Sequence, residues 1–241
     1  MGGEAVAKVL LVFGLELIIL YAAGSYAMGR LMALSGFGGG GIAPGRLVFL
    51  ALVLPGVVLH ESAHYLACLL TGTKVSRFAA FSPRRSPDGR LVLGYVCHER
   101  RGFLIGAIIG LAPVLLNPLG IVLVTALLTP LTLSEVAAAS FATVTHGLAG
   151  GFFADTPLLA TVWAYLSLSL ALGSVPSRED LSSLPAVLLV FGGGVFLLGL
   201  LKIGSANIFS AIHDLAALAT GLYALPAAVA LVAALLTRIL R

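Results

Sequence analysis

The stretch that decides the fold is LVFLALVLPGVVLHESAHYLACLL, residues 47–70. It is almost entirely apolar, and it is long enough to cross a hydrocarbon core of about 30 Å as a helix rising about 1.5 Å per residue. Within it lie His60, Glu61 and His64. Because an ionisable side chain at mid-membrane costs roughly 3 kcal/mol even on insertion scales, its presence in a span indicates a functional site.

The spacing of these three residues indicates which kind of site it is. HESAH, residues 60–64, is an HExxH motif, and residues four apart lie on one face of a helix, so both imidazoles can bind one metal ion. Glu61 points partly aside, where it can take a proton from water at the open position of the ion. The pattern predicts zinc peptide hydrolysis with Zn²⁺ as cofactor. The plainer alternative is a degenerate match that binds no metal.

Composition places the whole chain in a membrane. Hydrophobic residues make up 59% of it and charged residues 10%, and the mean hydropathy is +1.09. These values predict an all-α polytopic protein, a single membrane domain over residues 1–241 that contacts the lipid bilayer and lies in the cell membrane. The net charge is +4, and we interpret the basic residues as topology signals that face anionic lipid. We therefore expect no nucleic-acid partner.

Apolar runs predict about six transmembrane helices. They cover residues 5–28, 47–70, 102–128, 157–172, 184–201 and 208–236. Glu16 in the first run is expected to be protonated or paired, although a proton relay is the alternative. The glycine-rich residues 35–45 predict a loop or a short re-entrant piece. Residues 134–154 are weakly amphipathic, and we interpret them as re-entrant or interfacial rather than as a span.

The polar loop of residues 71–101 holds half of the chain's Lys and Arg residues, which predicts that this loop and both termini are cytoplasmic. Residues 74–82 and 90–98 are rich in strand-forming side chains and are separated by Pro87-Asp88-Gly89. They predict a β-hairpin at the membrane surface. Its free edge could hold an extended peptide substrate, or the hairpin could simply pack on the helices.

A zinc peptidase site needs a third protein ligand. If residues 157–172 make a single crossing, Asp180 returns to the cytoplasmic half that holds the HExxH motif, whereas counting 134–154 as a span would put it outside. Asp180 is therefore the predicted ligand, and Asp214 is the runner-up. Cys68 and Cys97 are predicted to be reduced and not ligands. The full set of candidates is Asp180, Glu179, Asp155, His146, His213 and Asp214.

Together, HESAH, the hairpin, GLAPVLLNP at 110–118 and PSRED at 176–180 resemble the site-2 protease family of intramembrane zinc metalloproteases, in a small form without a PDZ domain. The resemblance covers residues 47–181, the family's three-span core. It implies that Asp180 completes the zinc site, although the chain has PSRED, similar to a PSxxD variant, where the family usually has LDG. It also implies that Asn117 holds substrate or the reaction's oxyanion.

The predicted activity is hydrolysis of a peptide bond in or near a transmembrane segment of a membrane-protein substrate. His60, His64 and Asp180 would hold zinc, Glu61 would act as base and then acid, and Asn117 would help to polarise the carbonyl. A catalytically silent scaffold with a protease-like fold is one alternative. An ion-coupled transporter or channel is the other, and its ion path would use Glu16, Asp155, His213 and Asp214.

Overall fold

A computed structural model describes residues 3–35, 44–86, 91–130, 155–175, 177, 180, 182 and 206–239. This part of the chain is mostly helical and carries one small hairpin after the HExxH helix, as predicted. Its elements in chain order are α1 (Gly3–Leu34), α2 (Pro44–Leu70), β1 (Val75–Ala79), β2 (Arg84–Arg85), β3 (Leu91–Val92), β4 (Tyr95–His98), α3 (Phe103–Leu128), α4 (Pro157–Gly173) and α5 (Ala206–Ile239).

Three helices of the described part are long and apolar enough to cross a membrane: Leu11–Leu34, Gly45–Leu70 and Phe103–Leu128. The apolar helix Pro157–Gly173 and the apolar part of α5, Pro226–Ile239, are shorter. The 17 residues of α4 rise only about 26 Å, which is less than a typical hydrocarbon core. The described residues therefore do not reach the predicted count of six spans, and the predicted run at 184–201 lies outside them.

Helices α2 and α4 lie side by side and run parallel. Three hydrogen bonds join them, and the residue numbers in α2 and in α4 increase together from one bond to the next. Both helices therefore end at the same end of the bundle. The pairs are Ala51 with Tyr165 at 2.7 Å, Gly56 with Ser169 at 2.9 Å, and His60 with Gly173 at 2.7 Å.

Helix α3 runs antiparallel to α4. Asn117 contacts the last residue of α4, Gly173, while Thr125 accepts a hydrogen bond from Trp163 near the beginning of α4. The end of α3 and the beginning of α4 therefore lie at the same end of this helix pair. This arrangement is consistent with the prediction that the chain does not cross the membrane between the two helices. The segment in question, 134–154, itself lies outside the described residues.

The contact between α2 and α4 depends on two glycines. A Cβ atom on Gly56 would overlap the backbone carbonyl of Ser169, and one on Gly173 would overlap the backbone carbonyl of Gly56. The two backbones therefore touch directly, as happens where small residues let membrane helices approach closely. This close approach brings the end of α4 to the HExxH face of α2.

Helices α1 and α5 pack on each other through side chains. Phe13 meets Tyr223 edge to face, with ring centroids 5.3 Å apart. A buried cluster of Leu20, Tyr223, Ala227 and Ala230 continues this contact. Glu16 of α1 is partly buried and does not belong to the group formed by His60, His64 and Asp180.

The predicted β-hairpin is present. Strand β1 pairs antiparallel with β4, and β2 pairs antiparallel with β3, while the turn residues 87–90 lie outside the described part. Phe78 of β1 stacks on Tyr65 of α2, with ring centroids 4.7 Å apart, which joins the hairpin to the HExxH helix. At the hairpin's end, the Lys74 amide and the Arg101 guanidinium hold the pKa of Glu99 below its usual value.

Candidate metal centre

The two histidines of the motif face each other on α2. One helical turn separates them, so their rings come together with centroids 4.8 Å apart and Nε2 atoms 3.2 Å apart. His64 is buried, and His60 is partly exposed on the cavity side. The structure therefore brings the two imidazoles together, as the spacing of the motif predicts, and their binding of one metal ion stays a prediction.

Asp180 completes the group. Its carboxylate lies 3.1 Å from Nε2 of His64 and 3.6 Å from Nε2 of His60, and the residue is 8% exposed. One candidate ligand atom from each of these three residues lies within 4.8 Å of the other two. The structure therefore brings together the three ligands predicted from the sequence, although Asp180 is far from the motif along the chain.

The donor atoms of this group suit a metal ion. His60 and His64 each place Nδ1 beside a backbone carbonyl oxygen, that of Gly173 at 2.7 Å and that of Ile109 at 2.8 Å. Because a carbonyl only accepts, each Nδ1 carries a hydrogen, and in the neutral imidazole Nε2 then keeps its lone pair. Two lone pairs and a carboxylate then point at one another, which favours a cation between them. Tetrahedral ligands about 2.0–2.1 Å from an ion are about 3.3 Å apart. The two Nε2 atoms are 3.2 Å apart, and Nε2 of His64 lies 3.1 Å from Oδ1 of Asp180, while the 3.6 Å contact of His60 is with Oδ2.

The local chain holds the Asp180 carboxylate in place. The Ser177 amide donates to Oδ2 of Asp180 at 2.7 Å, and the Asp180 amide donates to the Ser177 hydroxyl at 3.2 Å. This reciprocal pair has the S-x-x-acid spacing of a capping box. The sequence analysis missed this role of Ser177, although the spacing within PSRED was the signal that could have revealed it.

Glu61 lies beside the ligand group but is not a member of it. It lines a cavity of about 540 Å³ together with His60, His64 and Asp180. The hairpin backbone packs closely on the Glu61 side chain, because a Cβ atom on Gly94 would lie 2.5 Å from Cγ of Glu61. Glycine at this position therefore allows the hairpin backbone to reach the carboxylate.

One wall of this cavity is a continuous stretch of the hairpin, residues 91–96. The other walls come from α2, from the end of α4 and the residues after it, and from Met28 of α1. Apart from the metal-site residues, most of the lining is apolar. It includes Met28, Val57, Leu91, Val92, Leu93, Leu172 and Val175.

Asn117 lies behind the metal site and does not line the cavity. Its side chain is fully buried, and Nδ2 donates to the Gly173 carbonyl at 2.7 Å, the same oxygen that accepts from His60. The resemblance implied a contact with substrate or oxyanion at this residue. In the structure, Asn117 contacts the carbonyl that also accepts from His60, and a contact with substrate or oxyanion stays a prediction.

Among the residues whose side chains the structure describes, no other candidate ligand joins the group. Asp155 is exposed just before α4 begins, whereas the metal site lies at the end of that helix. Cys68 and Cys97 are free thiols and are not members of the group. Four candidates cannot be compared, because the side chains of His213 and Asp214 and the whole of His146 and Glu179 lie outside what the structure describes.

Comparison of the chain with protein-family models, with curated proteins and with solved structures found no match. The resemblance to site-2 proteases therefore rests on the sequence motifs and stays a prediction.

Proposed function

We propose that this protein is a zinc-dependent intramembrane endopeptidase of the site-2 protease kind. The observation that carries the proposal is the meeting of His60, His64 and Asp180, with both Nε2 atoms facing the carboxylate, beside Glu61. Two histidines and one carboxylate form a ligand set of catalytic zinc sites, which keep a further position open. A structural zinc site would instead be closed by four protein ligands.

The chain's own residues divide the chemistry between them. When bound, zinc supplies Lewis-acid polarisation and activation of water. Glu61 borders the same cavity, so its carboxylate takes the proton of the attacking water and delivers it to the nitrogen of the leaving amine. The carbonyls of Gly173 and Ile109 hold the two imidazoles, and Ser177 holds Asp180, so the ligands are oriented before substrate arrives.

The cavity favours an extended apolar peptide as substrate. Strands β3 and β4 are each paired on one side, and the stretch 91–96, which contains β3 and the first two residues of β4, lines the cavity. A peptide laid along this stretch can add to the strand edge through backbone hydrogen bonds while its side chains meet Val57 and Leu172. A transmembrane substrate would have to unwind first, because a helix engages its own carbonyls.

Glu61→Gln tests the proposal. The substitution removes the base and keeps all three ligands, so cleavage of a transmembrane reporter peptide should fall by at least about 100-fold while zinc stays near one per chain. His60→Ala should lose both zinc and cleavage. Asp155→Asn, which alters an exposed carboxylate remote from the site, serves as control and should change neither. Cleavage that survives Glu61→Gln would contradict the role of Glu61 as base. A cellular function that is left intact by Glu61→Gln would favour a transporter, and wild type without zinc would favour a silent scaffold.

We further propose a multi-pass protein of the cell membrane with six spans and with the basic loop and both termini in the cytoplasm. The support is the concentration of Lys and Arg in residues 71–101, beside three long apolar helices. Single cysteines at positions 86 and 241, in a background with Cys97→Ser, should be labelled from the same side. Labelling from opposite sides would require an odd number of spans.

A further inference from the structure

Helix α3 contains two prolines in its interior, Pro113 and Pro118. A proline has no N–H, so the carbonyl four residues earlier loses its helical partner. Those carbonyls belong to Ile109 and Val114. A carbonyl without a partner is costly at membrane depth, so another group is expected to satisfy it.

Each of these carbonyls accepts a hydrogen bond from a side chain of a different helix. The Ile109 oxygen accepts from Nδ1 of His64 at 2.8 Å, and the Val114 oxygen accepts from the hydroxyl of Tyr223. Helix α2 repeats the arrangement, because Pro55 frees the carbonyl of Ala51, which accepts from Tyr165 of α4 at 2.7 Å. Three in-helix prolines therefore each release a carbonyl for a contact between helices, and one of those contacts holds a metal ligand.

We propose that Pro113 is a positioning residue of the metal centre. By removing an N–H from α3, it leaves the Ile109 carbonyl to His64, and this bond fixes the imidazole with Nε2 turned toward His60 and Asp180. Pro113 is fully buried, and Ile109 is 2% exposed, so water does not compete for the carbonyl. The inference rests on the proposed metal site and assigns to the proline a role beyond loosening the helix.

An alanine at this position would restore an N–H aimed at the Ile109 carbonyl. His64 would then share its acceptor with the helix, and the freedom of its ring would increase. Loss of a hydrogen-bond partner behind a ligating histidine typically weakens metal binding by about 10- to 100-fold. For Pro113→Ala we expect the lower end of that range, because a carbonyl has two lone pairs and can be shared.

The experiment measures metal binding by the purified full chain in detergent. Zn²⁺ affinity is obtained by competition with a chromogenic chelator, and the visible absorption bands of the Co²⁺ form report the geometry of the ligands. Pro113→Ala should weaken Zn²⁺ binding about tenfold and shift the Co²⁺ bands. The matched control is Pro118→Ala, which restores an N–H in the same helix but toward the carbonyl held by Tyr223. It should leave both readouts unchanged.

Pro113→Gly restores the same N–H and replaces the alanine variant if that one does not fold. The inference is overturned if Pro113→Ala binds Zn²⁺ like wild type with the same Co²⁺ bands. It is also overturned if Pro118→Ala weakens binding equally, because the bend of α3 would then be the cause. Wild type that binds neither ion would reject the proposed metal site itself, a result distinct from both of these.

Discussion

The α2–α4 contact and the α1–α5 pair are built in opposite ways. Between α2 and α4, backbone lies on backbone at Gly56 and Gly173, and the hydrogen bonds end on backbone groups. Between α1 and α5, side chains such as Phe13 and Tyr223 fill the space. Side chains can repack by changing rotamer, whereas a backbone contact cannot yield without moving a whole helix. The helices that orient the metal ligands are therefore the ones that tolerate change least.

The strongest way to break this comparison is Gly56→Ala. The added methyl would overlap the Ser169 carbonyl and approach Gly173, so α2 and α4 must separate and His60 must lose its acceptor. We expect about 1–3 kcal/mol of lost stability from overpacking and a loss of Zn²⁺ affinity of about 100-fold. Thermal unfolding and chelator competition measure the two effects.

Its matched control is Gly14→Ala in α1. No atom lies within 4 Å of a Cβ atom at Gly14, so the methyl enters open space. An interior helical glycine costs about 1 kcal/mol relative to alanine, so stability should stay equal or rise while Zn²⁺ affinity stays constant. A loss as large as that of Gly56→Ala would mean that the two contacts do not differ as described.

Asn117→Leu comes next in expected size. The amide donates to the Gly173 carbonyl beside His60, so its removal should loosen that carbonyl and weaken Zn²⁺ binding about tenfold, with cleavage falling in parallel. Saturating Zn²⁺ should restore part of the cleavage. Lost cleavage at unchanged Zn²⁺ affinity would instead support the direct substrate contact implied by the family resemblance.

Ser177→Ala sharpens the comparison at the end of α4. Removing the hydroxyl that caps the Asp180 amide costs about 1 kcal/mol, so Zn²⁺ affinity should fall roughly fivefold by chelator competition. Thr161→Ala removes a hydroxyl bonded to the Pro157 carbonyl near the beginning of α4 and should leave Zn²⁺ affinity unaltered. Equal losses from both variants would show that α4 responds as a whole, without a separate role for the Ser177 cap.

The smallest effect is expected for Tyr223→Phe in the α1–α5 pair. The ring and its contact with Phe13 remain, and only the hydrogen bond to the Val114 carbonyl is lost. Such a bond contributes about 1 kcal/mol, so the unfolding temperature should fall by a few degrees at constant Zn²⁺ affinity. A fall in Zn²⁺ affinity would show that this region also positions the ligands.

Local patterns made much of the site predictable. His60 and His64 meet because helical geometry alone brings residues four apart together. The hairpin follows from two strand-forming runs around a turn signal. Asp180 was reached through the expected direction of the 157–172 run and the resemblance of PSRED, and the parallel order of α2 and α4 agrees with that direction. Asn117 was singled out through the family resemblance, but its contact with the Gly173 carbonyl was not foreseen.

The sequence by itself determined the apolar helices, the histidine-bearing face of α2 and the chemical types of the proposed ligands, because these depend on composition and on spacing along the chain. Only the tertiary structure decided which carbonyls hold the histidines. The carbonyls of Gly173 and Ile109 belong to helices other than α2. Every residue has a backbone oxygen, so residue identity does not indicate which of these oxygens accepts from a histidine. The Gly173 carbonyl is available because α4 ends there, and the Ile109 carbonyl is available because Pro113 lies four residues later. Which side chains they bind depends on how closely α2, α3 and α4 pack.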